Sequence, residues 1–278
     1  MCTAFHRRLL AVLVPFLAFA AFPTLTYATH SWGTYHWART TNSFTLKLGD
    51  NVSSAWDAYL ATASTRWSGS SVLDTTIISP GGTADSPKKC RPTSGRVEVC
   101  SANYGGAWLG LAQIWVSGSH IYQATSKMND FYFNKAKYNT PAWRRFVMCQ
   151  EVGHTFGLDH QNENFYDANL GSCMDYTSNP LGPPSNEHPN SHDYAQLETI
   201  YAHFDSTTTV ASGGATSPGK GKMPPAMTEI DFEGPGQWGR LIRSTHNDRI
   251  HLYELDFGGG HKLFTFVIWA EGEERGRR

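Results

Sequence analysis

Apolar and polar residues alternate in several short stretches of the chain, a pattern typical of β-strands. Turns rich in Gly, Pro and Ser separate these stretches, which are residues 44–51, 72–79, 97–101, 108–116 and 120–129. Helical spacing of apolar residues follows residue 53 and recurs at about 142–156 and 192–203. Thr140 and Pro141 suit the start of the second helix and Gly157 suits its end. The pattern therefore predicts an α+β fold with five strands and three helices.

A change in composition divides the chain near its C-terminus. Residues 206–227 are mostly Ser, Thr, Gly and Pro with little to bury, which predicts a flexible linker. Residues 228–278 contain three further strand-like runs, which predict a small antiparallel β appendage. Such a segment is short for a core of its own, so we expect it either to pack on the main domain or to serve as a docking or targeting module.

Residues 1–28 have the layout of a secretory signal peptide. Arg7 and Arg8 precede an apolar run from Leu9 to Phe22, and small residues lead up to Ala28. The alternative is a transmembrane anchor, but the apolar run is shorter than the ~20 residues that a spanning helix needs. We expect cleavage near Ala28, secretion of the protein, no membrane span afterwards, and a main domain over residues 29–205.

Charge and cysteine content narrow the class of protein further. The 278 residues include 23 Lys and Arg against 24 Asp and Glu. The resulting net charge of −1 does not indicate a positively charged surface that would bind nucleic acid or an anionic membrane. A hydrophobic content of 40% argues against a disordered chain. We expect a globular monomer. Signal cleavage would remove Cys2 and leave four cysteines, which suggests two disulfides with three possible pairings.

The segment CQEVGHTFGLDHQ, residues 149–161, resembles the zinc-binding consensus H-E-x-x-H-x-x-G-x-x-H of the metzincin metalloproteases, including its matrixin and astacin members. One position departs from it, because Gln150 stands where the first histidine belongs. In that consensus two ligands four residues apart share a helix face, and a glycine turns the chain toward the third. The resemblance implies that Gln150, His154 and His160 hold one Zn²⁺ and that Gly157 makes the turn. The alternative is that the histidines are ordinary structural polar groups.

The segment Ser172 to Tyr176 resembles the Met-turn of the same family, S-x-M-x-Y. The resemblance implies that Met174 forms an apolar floor beneath the metal-binding histidines. It also implies that Tyr176 approaches the metal and supports the transition state. The alternative for Tyr176 is a packed aromatic ring with a satisfied hydroxyl group.

The resemblance covers about Thr34 to His203 and implies a metzincin-like domain with a mixed, twisted five-stranded sheet and three helices. It also implies that the fourth strand is a free sheet edge, on which an extended peptide or protein substrate lies antiparallel. The stretch could equally be core. Its residues are Leu109, Gly110, Leu111, Ala112, Gln113, Ile114 and Trp115.

The implied activity is that of a secreted zinc-dependent endopeptidase, in which Glu151 is the general base toward a metal-activated water. Gln150 offers only an amide oxygen, a weaker zinc donor than imidazole. Three outcomes follow: Gln150 binds the metal, His188 or His192 completes the site, or no metal binds. In the last case the protein would be an inactive, metzincin-like secreted binding protein.

The resemblance also bears on the disulfides. It brings the segments of Cys149 and Cys173 together beneath the metal, which makes a bond between them plausible, and Cys90 and Cys100 would then close a short loop. Free thiols that bind zinc are the alternative, which an oxidising compartment disfavours.

Overall fold

The computed structural model of the protein describes residues 1, 30–80, 87–211, 227, 234–244 and 249–273. The predicted signal peptide, with its cleavage point near Ala28, lies outside the described residues apart from Met1, and so does most of the predicted linker. Within the described part of the chain, no helix is long and apolar enough to cross a bilayer.

The described residues contain nine strands and four α-helices. In chain order these are β1 (His36–Trp37), β2 (Phe44–Asn51), α1 (Asp57–Trp67), β3 (Leu73–Ile78), β4 (Val97–Ala102), β5 (Trp108–Ser117), β6 (His120–Asn129), α2 (Asp130–Phe133), α3 (Pro141–His154), α4 (Ser191–Ile200), β7 (Arg240–Ser244), β8 (Ile250–Gly258) and β9 (His261–Trp269). The structure is thus mixed, and only the short elements β1 and α2 lack a counterpart in the predicted pattern.

All nine strands belong to a single mixed sheet. Strands β3, β2, β4 and β6 lie side by side and parallel, and β1 pairs in parallel with the start of β6. Strand β5 runs antiparallel to β6, and β9, β8 and β7 continue the sheet in antiparallel order. The sheet is therefore parallel on one side and antiparallel on the other.

The position of β9 corrects one prediction. Its residues pair with β5 from His261 opposite Ser117 to Trp269 opposite Trp108, so the C-terminal strands pack on the main domain and extend its sheet. Strand β5 was predicted to be a free edge over residues 109–115, but it is paired on both sides. The physical reason is that an edge strand carries unpaired N–H and C=O groups, and β9 satisfies those of β5.

The side chains of β9 point alternately into two different hydrophobic clusters. Phe266 and Ile268 point into the main core, which the helices cover. Val267 and Trp269 belong to a second cluster that involves the outward-facing residues of β5, among them Leu111. Because β9 is buried on both faces, its pairing with β5 also buries apolar area, which is the main source of folding free energy.

Helix α3 begins where the sequence predicts and ends at His154, two residues before the predicted end. The hydroxyl of Thr140 accepts a hydrogen bond from the backbone N–H of Trp143, and Pro141 occupies the first turn. The helix packs against α1, whose Trp67 indole donates a hydrogen bond of 3.1 Å to the carbonyl of Cys149. These contacts hold the C-terminal turns of α3 inside the core.

Two disulfide bonds are present, between Cys90 and Cys100 and between Cys149 and Cys173. Both are the bonds expected from the metzincin resemblance. The second bond fastens α3 to the loop that contains Met174.

Candidate metal centre

The last turns of α3 carry three side chains of the candidate centre, Gln150, Glu151 and His154. All three are buried, and Gln150 and His154 lie four residues apart, which places them on one face of the helix. The chain then turns at Gly157, whose φ is +96°. A Cβ atom at this position would lie 2.5 Å from the backbone oxygen of Tyr35, so only glycine fits the turn.

The turn brings His160 back against His154. The two imidazole rings are 4.4 Å apart between centroids and nearly perpendicular, with 86° between their planes. Nδ1 of His154 lies 2.9 Å from the backbone oxygen of Leu158 and donates to it, since a carbonyl oxygen can only accept. Burial, together with the charge of His160, lowers the pKa of His154 well below its ordinary value. His154 is therefore neutral, and its Nε2 carries a lone pair.

Gln150 connects α3 to the Met174 loop through its side-chain amide. Its Nε2 donates a hydrogen bond of 3.0 Å to the backbone oxygen of Cys173. Its Oε1 is buried and has no hydrogen-bond partner among the described residues. A buried amide oxygen without a partner is costly, and it is the atom of glutamine that can bind a cation.

Glu151 is 1% exposed, and burial raises its pKa well above the ordinary value. Its carboxylate lies against Gly110 of β5, where a Cβ atom would come within 2.5 Å of Oε1. Oε2 has no hydrogen-bond partner within the described part of the chain. The absence of a side chain at Gly110 thus creates the space that the Glu151 carboxyl group occupies.

Met174 lies against helix α3 near Gly153. It is completely buried, and its sulfur is so close to Gly153 that a Cβ there would lie 2.7 Å from it. The hydroxyl of Ser172 accepts a hydrogen bond from the Met174 N–H and donates one of 2.6 Å to Asp193 of α4. The loop that contains Met174 is thereby attached to α4, in addition to its disulfide bond with α3.

Tyr176 contacts the third candidate ligand directly. Its hydroxyl oxygen and Nε2 of His160 share a hydrogen bond of 2.6 Å, and its ring stacks on Phe165. Burial raises the pKa of Tyr176 well above its ordinary value, so the hydroxyl keeps its proton. Tyr176 is both a packed ring and a hydrogen-bonding group at the centre.

His188 and His192 do not join the histidines of the centre. The ring of His192 stacks on that of His30, with 4.7 Å between centroids. Neither residue belongs to the groups of converging His and carboxylate donors that the described chain contains. The structure therefore offers no support for either of them as a replacement for Gln150.

Strand β9 covers one side of the centre, which the sequence did not predict. The Phe266 ring stacks on His154 at 4.2 Å, and Trp32 stacks on the opposite side of Phe266 at 3.5 Å. The only earlier sign of this arrangement was the alternation of apolar residues in residues 261–270. The cover explains why His154 is only 1% exposed.

Three charged side chains lie beside His160 on another side of the centre. Nδ1 of His160 lies 3.3 Å from Asp159 and 3.4 Å from Glu163. Arg243 of β7 donates two hydrogen bonds, of 2.5 and 2.6 Å, to Asp159 and lies 3.4 Å from Glu163. Burial alone would raise the pKa of Asp159, but His160 and Arg243 hold it well below its usual range. The guanidinium thus offsets part of the negative charge of the two carboxylates beside His160.

The donor set fits a zinc ion in its chemistry. It comprises the Nε2 lone pair of His154, the Oε1 atom of Gln150, which lacks a partner among the described residues, and the imidazole of His160. Imidazole and oxygen donors both occur at zinc sites, and an amide oxygen is the weakest of the three. In this structure Nε2 of His160 is engaged with Tyr176, so a bound metal would compete with that hydroxyl.

Several solved structures are similar to this chain, and one of them is a zinc protease. No protein-family model matches the sequence, and no curated protein matches it with significance. High choriolytic enzyme 1, a hatching-enzyme zinc protease from Oryzias latipes (medaka fish), superposes with a TM-score of 0.30 and 11% identity. The match covers 60% of this chain and 94% of the other.

Proposed function

We propose that the protein is a zinc-dependent endopeptidase whose C-terminal strand β9 restricts access to the active site. One observation supports this proposal above all: three possible metal donors lie close to Glu151. They are the neutral imidazole of His154, the imidazole of His160 and the amide oxygen of Gln150. These groups sit above a buried methionine and beside a hydroxyl that contacts one of them. A merely structural cluster needs neither an unpaired amide oxygen nor a buried carboxyl group at its centre.

Each residue has a definite role in this proposal. Gln150, His154 and His160 would hold the ion. Zinc, when bound, would lower the pKa of a water molecule to about 7 and polarise the carbonyl of the scissile bond. Glu151 would take the proton of the attacking water and pass it to the leaving amine, and Tyr176 would donate a hydrogen bond to the oxyanion.

The direction of β9 supports its role as an occupant of the substrate position. An extended peptide would gain main-chain hydrogen bonds by adding to β5 in antiparallel orientation. Strand β9 already makes this pairing, and its Phe266 reaches the ring of His154. A substrate must therefore displace part of β9 or approach from the Tyr176 side. We propose an extended peptide or protein as substrate and a monomeric enzyme.

Export from the cell belongs to the same proposal. Two disulfide bonds in one chain are typical of oxidising compartments. We propose that residues 1–28 direct secretion and are removed near Ala28.

A second candidate function is that of an inactive secreted binding protein. The Gln150 hydrogen bond to Cys173 favours it, because this bond gives the side chain a structural role that requires no metal. The Phe266 stack on His154 favours it as well. In that case the unpartnered Oε1 of Gln150 is a cost that the packing of the core offsets.

Zinc content and cleavage together separate the two functions. The full chain, His154→Gln, Gln150→His and Glu151→Gln would be purified, checked for folding by circular dichroism, and analysed for zinc. For an enzyme we expect His154→Gln to lose one zinc equivalent, Gln150→His to bind zinc more tightly, and Glu151→Gln to keep the metal but lose cleavage of an unstructured protein. Equal zinc content in wild type and His154→Gln, without cleavage by either, would establish the binding protein.

A further inference from the structure

Three histidines and one aspartate meet at a second place in the fold, outside the candidate metal centre. His36 lies on β1 and His120 at the start of β6, and the parallel pairing of these strands places the two residues opposite each other. His203 and Asp205 follow α4. The four side chains come from three separate parts of the chain, and none of them belongs to the Gln150 centre.

The three imidazoles converge on a single oxygen atom. Oδ1 of Asp205 lies 3.0 Å from Nε2 of His120, 3.4 Å from Nε2 of His36 and 3.7 Å from Nε2 of His203. The Nε2 atoms of His36 and His203 are themselves 3.2 Å apart. The other oxygen of Asp205, Oδ2, accepts a hydrogen bond of 2.9 Å from the backbone N–H of Arg39, which fixes the carboxylate.

The position of the proton on the His36 imidazole indicates what can bind between His36 and Asp205. Nδ1 of His36 lies 2.7 Å from the backbone oxygen of Thr34, so Nδ1 carries a hydrogen and donates it. In a neutral imidazole Nε2 then has only a lone pair, and this lone pair faces Oδ1 of Asp205. Two lone pairs repel each other unless a cation or an additional proton lies between them. A histidine that donates Nδ1–H to a carbonyl and presents Nε2 is also the usual arrangement of a metal ligand.

The spacing of the donor atoms of His36, His203 and Asp205 favours a metal ion, because all three lie within 4.8 Å of one another. A tetrahedral site with zinc-to-nitrogen bonds of about 2.0–2.1 Å has its donor atoms about 3.3–3.4 Å apart. The distances of 3.2, 3.4 and 3.7 Å among these three residues lie on both sides of this value, whereas His120 is outside the set and its Nε2 contacts the Asp205 oxygen, at 3.0 Å. The rings of His120 and His203 each meet that of His36 edge-on, at 85° and 82°, which keeps the ring faces away from the point of convergence.

We propose that His36, His203 and Asp205 bind one zinc ion, with His120 as a hydrogen-bond partner of the Asp205 carboxylate. Three protein donors leave the fourth position of a tetrahedral site to a water molecule. The ion would connect β1 to the segment after α4, and His120 would hold Asp205 from the start of β6. His203 has a side chain that is 55% exposed, so an ion can enter from solvent.

The exposure of His203 also makes it the best position for a test, because its replacement removes a donor without disturbing the core. The full chain, His203→Ala and His120→Ala would be saturated with Zn²⁺, freed of excess metal and analysed for zinc. His192→Ala is the matched control, since it removes a histidine from outside both centres. We expect His203→Ala to lose one zinc equivalent relative to wild type, His120→Ala to bind the ion more weakly, and His192→Ala to lose none.

A second measurement separates a metal ion from a proton-linked hydrogen-bond cluster. Zn²⁺ should raise the thermal unfolding midpoint of His154→Gln, in which the other centre is disabled, and this increase should disappear in the double variant His154→Gln and His203→Ala. Unchanged zinc content in His203→Ala, or the same thermal response in both backgrounds, would overturn the proposal. Loss of zinc from His154→Gln alone would concern the candidate endopeptidase centre and leave this site unaffected.

Discussion

The ring of Phe266 lies flat on the ring of His154, with 4.2 Å between centroids and 7° between planes. Phe266 comes from the strand that pairs with β5, and His154 is a candidate metal ligand. A stacked phenylalanine covers the face of the imidazole and leaves the ring edge, where Nε2 lies, outside the stack. The contact therefore covers the ring face of His154 and leaves its Nε2 edge open to an ion.

Replacement of Phe266 by alanine should uncover His154. Deletion of a buried phenylalanine side chain costs about 3–5 kcal/mol of stability. We expect this loss together with a rise in kcat/KM for an unstructured peptide. Phe264→Ala is the matched control, because Phe264 lies two residues away on the same face of β9 and contacts Tyr35. If both variants show the wild-type kcat/KM while folded, β9 does not restrict the site.

The turn at Gly157 should tolerate no side chain. A left-handed backbone costs roughly 1–2 kcal/mol for a residue with a Cβ atom. In Gly157→Ala the new atom would also lie 2.5 Å from the backbone oxygen of Tyr35, so we expect a larger loss of stability and displacement of His160. Gly33→Ala provides the control, because Gly33 has a φ of +50° and nothing within 4 Å of its Cβ position. Chemical denaturation of both variants measures the difference, and equal losses would contradict the steric argument.

The bond between Cys149 and Cys173 should stabilise the protein more than its loop alone would suggest. Loop-closure entropy predicts about 3.4 kcal/mol for this bond, whose sequence separation is 24, and about 2.7 kcal/mol for the bond between Cys90 and Cys100, whose separation is 10. The first bond also holds Met174 beneath α3. We expect the paired Cys149→Ala and Cys173→Ala variant to lose zinc affinity, and the Cys90→Ala and Cys100→Ala variant to keep it. Calorimetry and metal titration test the two effects separately.

Glu187 should make part of the stability dependent on pH. It accepts a hydrogen bond of 2.6 Å from Arg145 of α3 and one of 2.7 Å from Ser185. Burial alone would raise the pKa of Glu187, but these partners and the nearby charges lower it below its ordinary value of 4.5. A lowered pKa in the folded state means that the stabilisation is complete above pH 4.5 and is lost as the pH falls below it.

The matching variant is Glu187→Gln, which keeps the shape of the side chain and removes its charge. Because Arg145 is partly exposed, we expect a loss of less than about 1 kcal/mol at neutral pH. The difference between the unfolding free energies of wild type and variant should shrink as the pH is lowered from 5 to 3. A difference that stays constant over this range would show that the charge of Glu187 contributes nothing.

The local parts of the candidate site were predictable from sequence. Gln150, His154 and Gly157 lie within one helix and its turn, and fixed spacing along a helix fixes which side chains share a face. Thr140 and Pro141 marked the helix start for equally local reasons. Met174 required only that a second short motif follow the first. Such motifs can be recognised in a sequence because residues close together in the chain determine their geometry.

The long-range parts were not predictable in the same way. The apolar alternation in β9 indicates a strand but does not specify its partner, and β5 offered an equally good edge for a substrate. His36 lies on β1, whereas His203 and Asp205 follow α4, so no local motif joins these three residues. Proximity in sequence instead suggested His188 and His192 as additional ligands, although His192 stacks on His30. Pairing between distant strands is a property of the whole chain, which a local pattern cannot reveal.

The pairing of β5 with β9 also has a consequence for biosynthesis. Gln113 and Thr265, which hydrogen-bond across this pair, are 152 residues apart, so the ribosome completes β5 long before β9. During this interval β5 presents an unpaired row of backbone groups, which is a template for association with other nascent chains. The last strand to be translated is the one that closes this edge. A chain that terminates early therefore loses both its cover over His154 and its protection against aggregation.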